Sequence, residues 1–385
     1  MTQYQMDNST VRPERIVLLA VDLTDFAGNR VVRQNDFQAA VAEAKELIRA
    51  TGGELVETVT CQKDRPSPAL FIGSGKAEEV AELIETLEAD LLVVNHPLTP
   101  TQERNLEKAC QCRVIDRVGL ILDIFAQRAR TQEGKLQVEL AQLTHLSSRL
   151  VRGYAHLQSQ KGGIGMKGPG ETQLETDRRL IGNKITRLKR ELQQVKKQRQ
   201  TQRKSRYRNG TPTFALVGYT NAGKSSVFNR LTKAEVLAKD QLFATLDTTA
   251  RRLYLAPEVN VVITDTVGFV RDLPHELVEA FAATLEETAE ADVLLHVVDR
   301  SHPEWSRQID DVNVVLNQID AQNIPCLLVL NKIDLLDEAD ALPAGAVLNA
   351  QGDVVAMHIS VHNGAGLADL RQWMTEQAQA EKGHS

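Results

Sequence analysis

Gly218-Tyr219-Thr220-Asn221-Ala222-Gly223-Lys224-Ser225 fits the pattern G-x-x-x-x-G-K-[ST]. An apolar run, TFALVGY (213–219), precedes it and a helix-like SVFNRL follows. That is the context a phosphate-binding loop requires. Glycines let the backbone wrap phosphates, and successive N–H groups at a helix N-terminus face the negative charge. Lys224 is placed to reach the β- and γ-phosphates, and the Ser225 hydroxyl to ligate Mg2+. The bland alternative is a glycine turn with an incidental lysine.

Three further patterns follow in order. Asp265-Thr266-Val267-Gly268 closes a strand-like run. An aspartate there can hold Mg2+ through water, and the Gly268 N–H can meet a γ-phosphate. Asn331-Lys332-Ile333-Asp334 ends a later strand. The Asp334 carboxylate can accept two parallel hydrogen bonds from the N1–H and 2-amino group of guanine, a donor pair that adenine lacks. Asn331 can bond the base edge, and the Lys332 stem can cover the ring. Ser360-Val361-His362 follows the last strand, where a loop can offer its backbone to the guanine carbonyl. Each later motif is weak alone. All four at the C-terminal edges of strands, where open α/β sheets bind ligands, point to a GTPase. A small-molecule kinase explains the first motif but not N-K-x-D.

Between the first two motifs lies FATLDTTARR (243–252). A GTPase needs a threonine here to cap Mg2+ and sense the γ-phosphate. Thr245, Thr248 and Thr249 are all candidates, and spacing alone does not choose among them. Phe269 follows Gly268, where a Ras-like enzyme has a water-orienting glutamine. Phenylalanine cannot orient water by hydrogen bonding, so the unaided site should be slow. A partner that repositions such a site can add roughly 10³–10⁵ in rate.

The elements that must carry these residues are read from periodicity. RIVLLAVDL (15–23), ELVETVT (54–60), ADLLVVN (89–95) and CRVID (112–116) read as strands. Helical patterns at 36–50 and 76–89 fall between them. Residues 1–125 therefore form a small α/β domain with a mostly parallel sheet. Residues 126–208 differ. Leu136, Leu140, Leu143 and Leu150, then Leu174, Ile181, Ile185, Leu188, Leu192 and Val195, follow a four-and-three spacing. Between them KGGIGMKGPGETQ (161–173) cannot continue a helix. An antiparallel helical hairpin with a glycine-rich tip is expected. Residues 209–385 form a second α/β domain of Ras-like P-loop type, with strands at NVVITDT (260–266), ADVLLHVVD (291–299), PCLLVLNK (325–332) and VVAMHIS (354–360) and a last helix at 366–379.

The 385 residues carry a net charge of −6, but unevenly. Residues 1–125 hold 13 basic and 20 acidic side chains, whereas residues 178–208 hold 13 basic side chains against Glu191 alone. Such a cationic stretch suits a polyanion partner. A protein-binding coiled coil is the alternative. No apolar run approaches a bilayer span, so no stable membrane insertion is expected. The N-terminus lacks a secretory pattern. Cys61, Cys110, Cys112 and Cys326 form no Cys-x-x-Cys pair. A cytoplasmic, reduced protein is expected. The histidines show no metal-ligand spacing; His296 reads as a core residue, and Trp305 and Trp373 as packing residues. Gly73-Ser74-Gly75-Lys76 lacks the spacing of a second phosphate loop and reads as a helix N-terminal turn.

GYTNAGKSSVFNRL, FATLDTTARR, DTVGFVRDLPHELVEAFAATLEE, VVDRSHP and NKID together resemble the HflX family of translational GTPases, within the Obg–HflX group. GGIGMKGPGETQLETDRR and FIGSGKAEEV are similar to its hairpin tip and N-terminal domain, so the resemblance covers roughly residues 15–380. It implies GTP hydrolysis, Mg2+, binding to the large ribosomal subunit and its RNA, and splitting of idle or stalled ribosomes, often under stress. It implies a monomer off the ribosome, and it fits a hydrophobic residue at 269. Among the three threonines it favours Thr245, beside Ser225, as metal ligand, and it adds Phe243, Ala244, Leu246 and Asp247 to the nucleotide contacts. Alternatives are a GTPase that regulates another protein, and an RNA-binding protein with a vestigial GTP site. Intact Lys224, Ser225 and Asp265 argue against the latter.

Overall fold

RIVLLAVDL forms β1 (Arg15–Leu23), and Ile16 through Val21 are all buried. A run without alternation needs cover on both faces, as parallel sheets provide. β1 lies between β2 (Glu54–Lys63) and β3 (Leu91–Val94), with β4 (Arg113–Asp116) beyond β3, and every pairing is parallel. The computed structural model describes residues 12–24, 30–158, 169–207, 211–233, 242–243, 245–270 and 282–383. The glycine-rich stretch at 161–168, Ala244 and residues 271–281 lie outside the described residues, as do the side chains of Leu150 and Leu174.

The described chain divides into two units, Met1–Ile124 with Ser148–Lys167, and Phe125–Ser147 with Gly168–Ser385. In the first, α1 (Arg30–Thr51), α2 (Ser74–Thr86) and α3 (Pro100–Cys110) join the strands. Ile72, Val80, Ile84, Leu92 and Leu106 share one core. Each such side chain contributes roughly 1.5–3 kcal/mol on burial. The Gly73–Lys76 turn is the start of α2, with Lys76 Nζ 2.7 Å from Glu79. Periodicity did not announce α3. Its signal is the cap: Thr99 accepts from Gln102 N, Gln102 reaches back to Thr99 N, and Pro100 opens the helix. α4 (Arg117–Arg128) follows β4 directly.

α5 (Gln132–Gln158) and α6 (Pro169–Tyr207) are long helices. Among the described residues of α5, Glu133, Gly134, Gln137, Val138, Leu140 and Ala141 are buried, while Leu136 and Leu143 are half-buried. The stripe is thus turned slightly from the leucine seam. On α6, Leu188 is fully buried, and Ile181, Ile185, Leu192 and Val195 are half-buried. The two helices meet at Lys184–Glu139, 2.6 Å. Arg178, Arg179, Lys189 and Arg190 are exposed.

The second sheet has the order β10-β11-β9-β8-β5-β7-β6. β5 (Thr213–Val217) pairs in parallel with β7 (Val259–Asp265) on one side and β8 (Val293–Asp299) on the other. β9 (Cys326–Asn331) and β11 (Val354–His358) continue the parallel run. The edges are antiparallel: β6 (Thr249–Ala256) on β7, and β10 (Gly345–Leu348) on β11. Neither edge strand was expected, because exposed edges lack a continuous apolar run. α7 (Lys224–Thr232), α8 (Ala282–Ala289), α9 (Trp305–Gln318) and α10 (Leu367–Gly383) flank this sheet. The chain leaves β5 toward β7 and later returns to β8 on its other side. That reversal opens a crevice at the carboxyl end of β5.

Candidate nucleotide and metal site

The loop after β5 occupies that crevice and runs into α7. Gly223 precedes the helix with φ +97°, and a Cβ there would stand 2.3 Å from Asn331 Nδ2. Only glycine combines that left-handed turn with so close an approach. Lys224 opens α7 but is buried. Its Nζ donates to the carbonyls of Gly218, at 3.0 Å, and Tyr219, at 2.8 Å. Burial lowers its pKa to about 8, partly opposed by Asp265. A buried ammonium resting on loop carbonyls gains from an incoming phosphate, which supplies a full negative partner.

Three oxygens meet beside it. Ser225 Oγ lies 2.7 Å from Asp265 Oδ2 and 2.7 Å from Thr245 Oγ1, and Thr245 Oγ1 lies 2.8 Å from Asp265 Oδ2. Two hydroxyl protons cannot satisfy three contacts when the carboxylate is ionised. Asp265 is fully buried, and its Oδ1 has no hydrogen-bond partner among the described residues. Burial raises its pKa against the bonds from Ser225 and Thr245 and the charge of Lys224. A small cation with oxygen ligands resolves the proton deficit and the orphaned oxygen together. The donor set is hard and all oxygen, as Mg2+ requires. Among the three candidate threonines, the structure brings Thr245 to this cluster. Thr249 instead begins β6, paired with Asp265 through the strand ladder.

The loop after β7 lies over the phosphate loop. A Cβ on Gly268 would stand 2.8 Å from Thr220 Cγ2 and 3.0 Å from Lys224 Nζ, so any side chain there would crowd both. Phe269 N donates to Gly218 O and Thr220 N donates to Phe269 O, at 3.1 and 2.7 Å. The Phe269 ring packs with Tyr219, Val217, Leu285 and Leu294. It thus serves as a core residue and presents no polar atom. Thr266 Oγ1 donates to Leu216 O at 2.6 Å, and Val267 is buried, so both support the loop from beneath.

At the other end, Asn331 braces two loops. Its Nδ2 donates to Ala222 O at 3.0 Å, and its Oδ1 accepts from Val361 N at 3.2 Å. Lys332 takes φ +62° and its Nζ pairs with Asp299 at 2.7 Å, which draws its stem along the site. Asp299 also accepts from Ser301 N and Oγ. Sequence reasoning passed over Asp299, although its place at the end of β8 was a signal. Ile333 and Asp334 form a short 3-10 turn, with Asp334 Oδ2 3.7 Å from His362 Nδ1. Ser360 is buried and folds its own loop through Ala365 and Gly364, leaving His362 exposed.

Of the FATLD segment, Phe243 and Leu246 are buried. The Asp247 carboxylate accepts from Arg130 N and Thr131 N, both at 2.9 Å, at the start of α5. Arg130 and Thr131 were not anticipated. A threonine one residue before a helix is the capping signal that could have drawn attention to them.

The chain is similar to known GTPases in sequence and to a GTP-binding protein in fold. Three family models match in sequence: "GTP-binding GTPase N-terminal" over residues 38–126, "GTP-binding GTPase Middle Region" over 128–206, and "50S ribosome-binding GTPase" over 213–332. The chain is 53% identical to the GTPase HflX of Escherichia coli K12 over 339 residues, which are 88% of this chain and 79% of that protein. It is 48% identical to the GTPase HflX of Magnetococcus marinus over 359 residues, 93% of this chain and 81% of that protein. In structure it is similar to SsGBP in complex with GDP, with a TM-score of 0.53 and 22% identity over 95% of this chain and 99% of that one. At that identity the likeness speaks to the fold alone.

Proposed function

The chain belongs to the HflX family of GTPases, and from that premise we propose a Mg2+-dependent enzyme whose helical arm engages the RNA of the large ribosomal subunit and splits idle or stalled ribosomes. GTP hydrolysis is the activity of the family. The observation that carries the ribosomal part is the exposed cationic face of α6, with Arg178, Arg179, Lys189 and Arg190 in solvent. The family description "50S ribosome-binding GTPase" supports the same reading. We divide the work among residues 1–125, the basic arm at 126–208 and the GTP-binding domain at 209–385.

The mechanism starts with the buried lysine. Lys224 exchanges the carbonyls of Gly218 and Tyr219 for the β- and γ-phosphate oxygens. The backbone from Gly218 to Ser225 and the N-terminus of α7 carry the remaining phosphate charge. Ser225 and Thr245 would hold the metal directly and Asp265 through water. Mg2+ held there would supply positive charge to offset that on the β- and γ-phosphate oxygens. Asp334 selects guanine, and Asn331 keeps the base-side loops in register with the phosphate loop. Phe269 is committed to the core, so no side chain at that position orients water. The ribosome must therefore complete the site by shifting the loops or adding polar groups. Turnover assays with and without ribosomes, alongside salt-sensitive cosedimentation, test this reading. An absence of ribosome stimulation at every salt concentration would reject it.

A further inference from the structure

Thr245 sits in a short segment that is pinned on both sides. Before it, the rings of Phe243 and Phe125 meet edge to face, with centroids 4.6 Å apart at 82°. Phe125 lies near the end of α4. After it, the Asp247 carboxylate takes the backbone N–H groups of Arg130 and Thr131, and the Thr131 hydroxyl donates to its other oxygen. Thr131 is itself the cap of α5, with Oγ1 accepting from Gly134 N at 3.0 Å. Gly134 makes room for this arrangement: a Cβ there would stand 2.2 Å from Asp247 Oδ1. Three donors from one helix start leave the carboxylate engaged by the arm.

We propose that Asp247 is a positioning residue for Thr245, clamping the 245–247 segment to Arg130 and Thr131 at the cap of α5 so that the metal-facing hydroxyl and the root of the arm move together. The inference rests on the reading of Thr245 as a metal ligand. The physical reason is short range. Only Leu246 lies between the residue that bears the hydroxyl and the one that bears the carboxylate, so little backbone freedom remains when both ends are held. A carboxylate at a helix N-terminus is favoured by its N–H groups and dipole, which makes the grip specific for a negative side chain. Movement of α5 by an RNA ligand would then draw Thr245 from Ser225 and Asp265. Conversely, a metal that fixes Thr245 would hold the start of the arm. The clamp replaces the nucleotide contact expected of Asp247 with a route between arm engagement and the phosphate site.

The test needs no ribosome. Binding of a non-hydrolysable GTP analogue is measured against Mg2+ concentration, and binding of GDP is measured without metal. Hydrogen exchange of the Arg130 and Thr131 amides is followed in parallel. Asp247→Ala should raise the half-saturating Mg2+ concentration about tenfold and speed exchange of the two amides about tenfold, as expected for loss of charged hydrogen bonds. GDP affinity should stay within about twofold, which also reports an intact fold. Gly134→Ala, which keeps the carboxylate but crowds it from the arm side, should shift the Mg2+ requirement in the same direction. In a Thr245→Ala background, Asp247→Ala should have no further effect on that requirement. Equal losses of GDP and analogue affinity would make Asp247 a nucleotide contact and overturn the clamp. So would fast amide exchange with an unchanged Mg2+ requirement. A wild-type Mg2+ requirement in Thr245→Ala would overturn the metal reading beneath both.

Discussion

The two units contain parallel sheets with the same kind of carboxyl edge, and they use it in opposite ways. In the first, the polar residues at that edge are spent. Asn95 Oδ1 accepts from Val21 N, and His96 Nε2 lies 2.7 Å from Val21 O. Asp116 takes Leu98 N and Gly119 N and pairs with Arg149 at 2.6 Å. In the second, the edge is held open. Lys224 rests on two carbonyls, and neither Asp265 Oδ1 nor the buried Thr220 Oγ1 has a hydrogen-bond partner among the described residues. The lesson is that a parallel α/β layer supplies an edge but not a ligand. Function lies where buried polar groups remain unsatisfied and glycines keep side chains away.

The largest effects should come from breaking the open edge. Lys224→Ala and Ser225→Ala should each reduce single-turnover GTP hydrolysis at least about a thousandfold while the thermal melt stays close to wild type. Turnover near the wild-type rate in either variant would remove this site from the mechanism. The filled edge should answer differently. Asp116→Ala leaves the N–H groups of Leu98 and Gly119 without this acceptor and Arg149 with Glu103 but not Asp116, so unfolding free energy should fall by about 1–3 kcal/mol. Basal turnover should remain within about twofold, because Asp116 and its partners belong to the first unit and the nucleotide residues to the second. Denaturant melts paired with turnover assays separate the two classes.

The base end gives a smaller, sharper effect. Asp334→Asn puts a donor against donors of guanine, and GTP affinity should fall at least about tenfold, since a charged hydrogen bond is worth about 1.5–3 kcal/mol. Calorimetry that finds unchanged binding would withdraw Asp334 from the base site.

A buried histidine beneath the open edge gives the smallest effect. His296 Nε2 has no hydrogen-bond partner among the described residues, and burial lowers the pKa of the ring to about 4, helped by the charge of Lys224. The unfolded chain binds a proton near the ordinary value of about 6.5. The folded state resists that proton, so stability contributed by neutral His296 is present above 6.5 and is lost as pH falls toward 4. His296→Leu should therefore show a shallower loss of melting temperature across that window. An identical pH profile would place the acid sensitivity elsewhere.

Much of this arrangement was legible in the chain. Fully buried runs such as Ile16–Val21 and the segment at 214–217 declare themselves, because strands covered on both faces are continuous in apolar residues. Edge strands do not. In β6, Arg251, Arg252 and Tyr254 are exposed, and the pattern reads as a loop. The motif residues were legible because phosphate and guanine chemistry restrict residue types tightly. Their supports were less so. Asp299 and Thr131 are ordinary residues whose importance comes from what long-range folding brings to them. Asn331 was legible as a motif member, but its bracing of Ala222 and Val361 depends on three loops meeting.

Ribosome-stimulated GTP turnover, measured across a salt series, tests the central claim most directly. The comparison is between the wild-type protein and a variant with Arg178, Arg179, Lys189 and Arg190 changed to glutamine. Ribosome binding should be weaker in the variant, with a log–log salt slope reduced by about 0.7–0.9 for each RNA phosphate no longer neutralised. Stimulated turnover and subunit release on sucrose gradients should fall together, while basal turnover holds. If the variant binds, hydrolyses and splits ribosomes like the wild type at every salt concentration, the arm is a spacer and the RNA-contact reading is wrong.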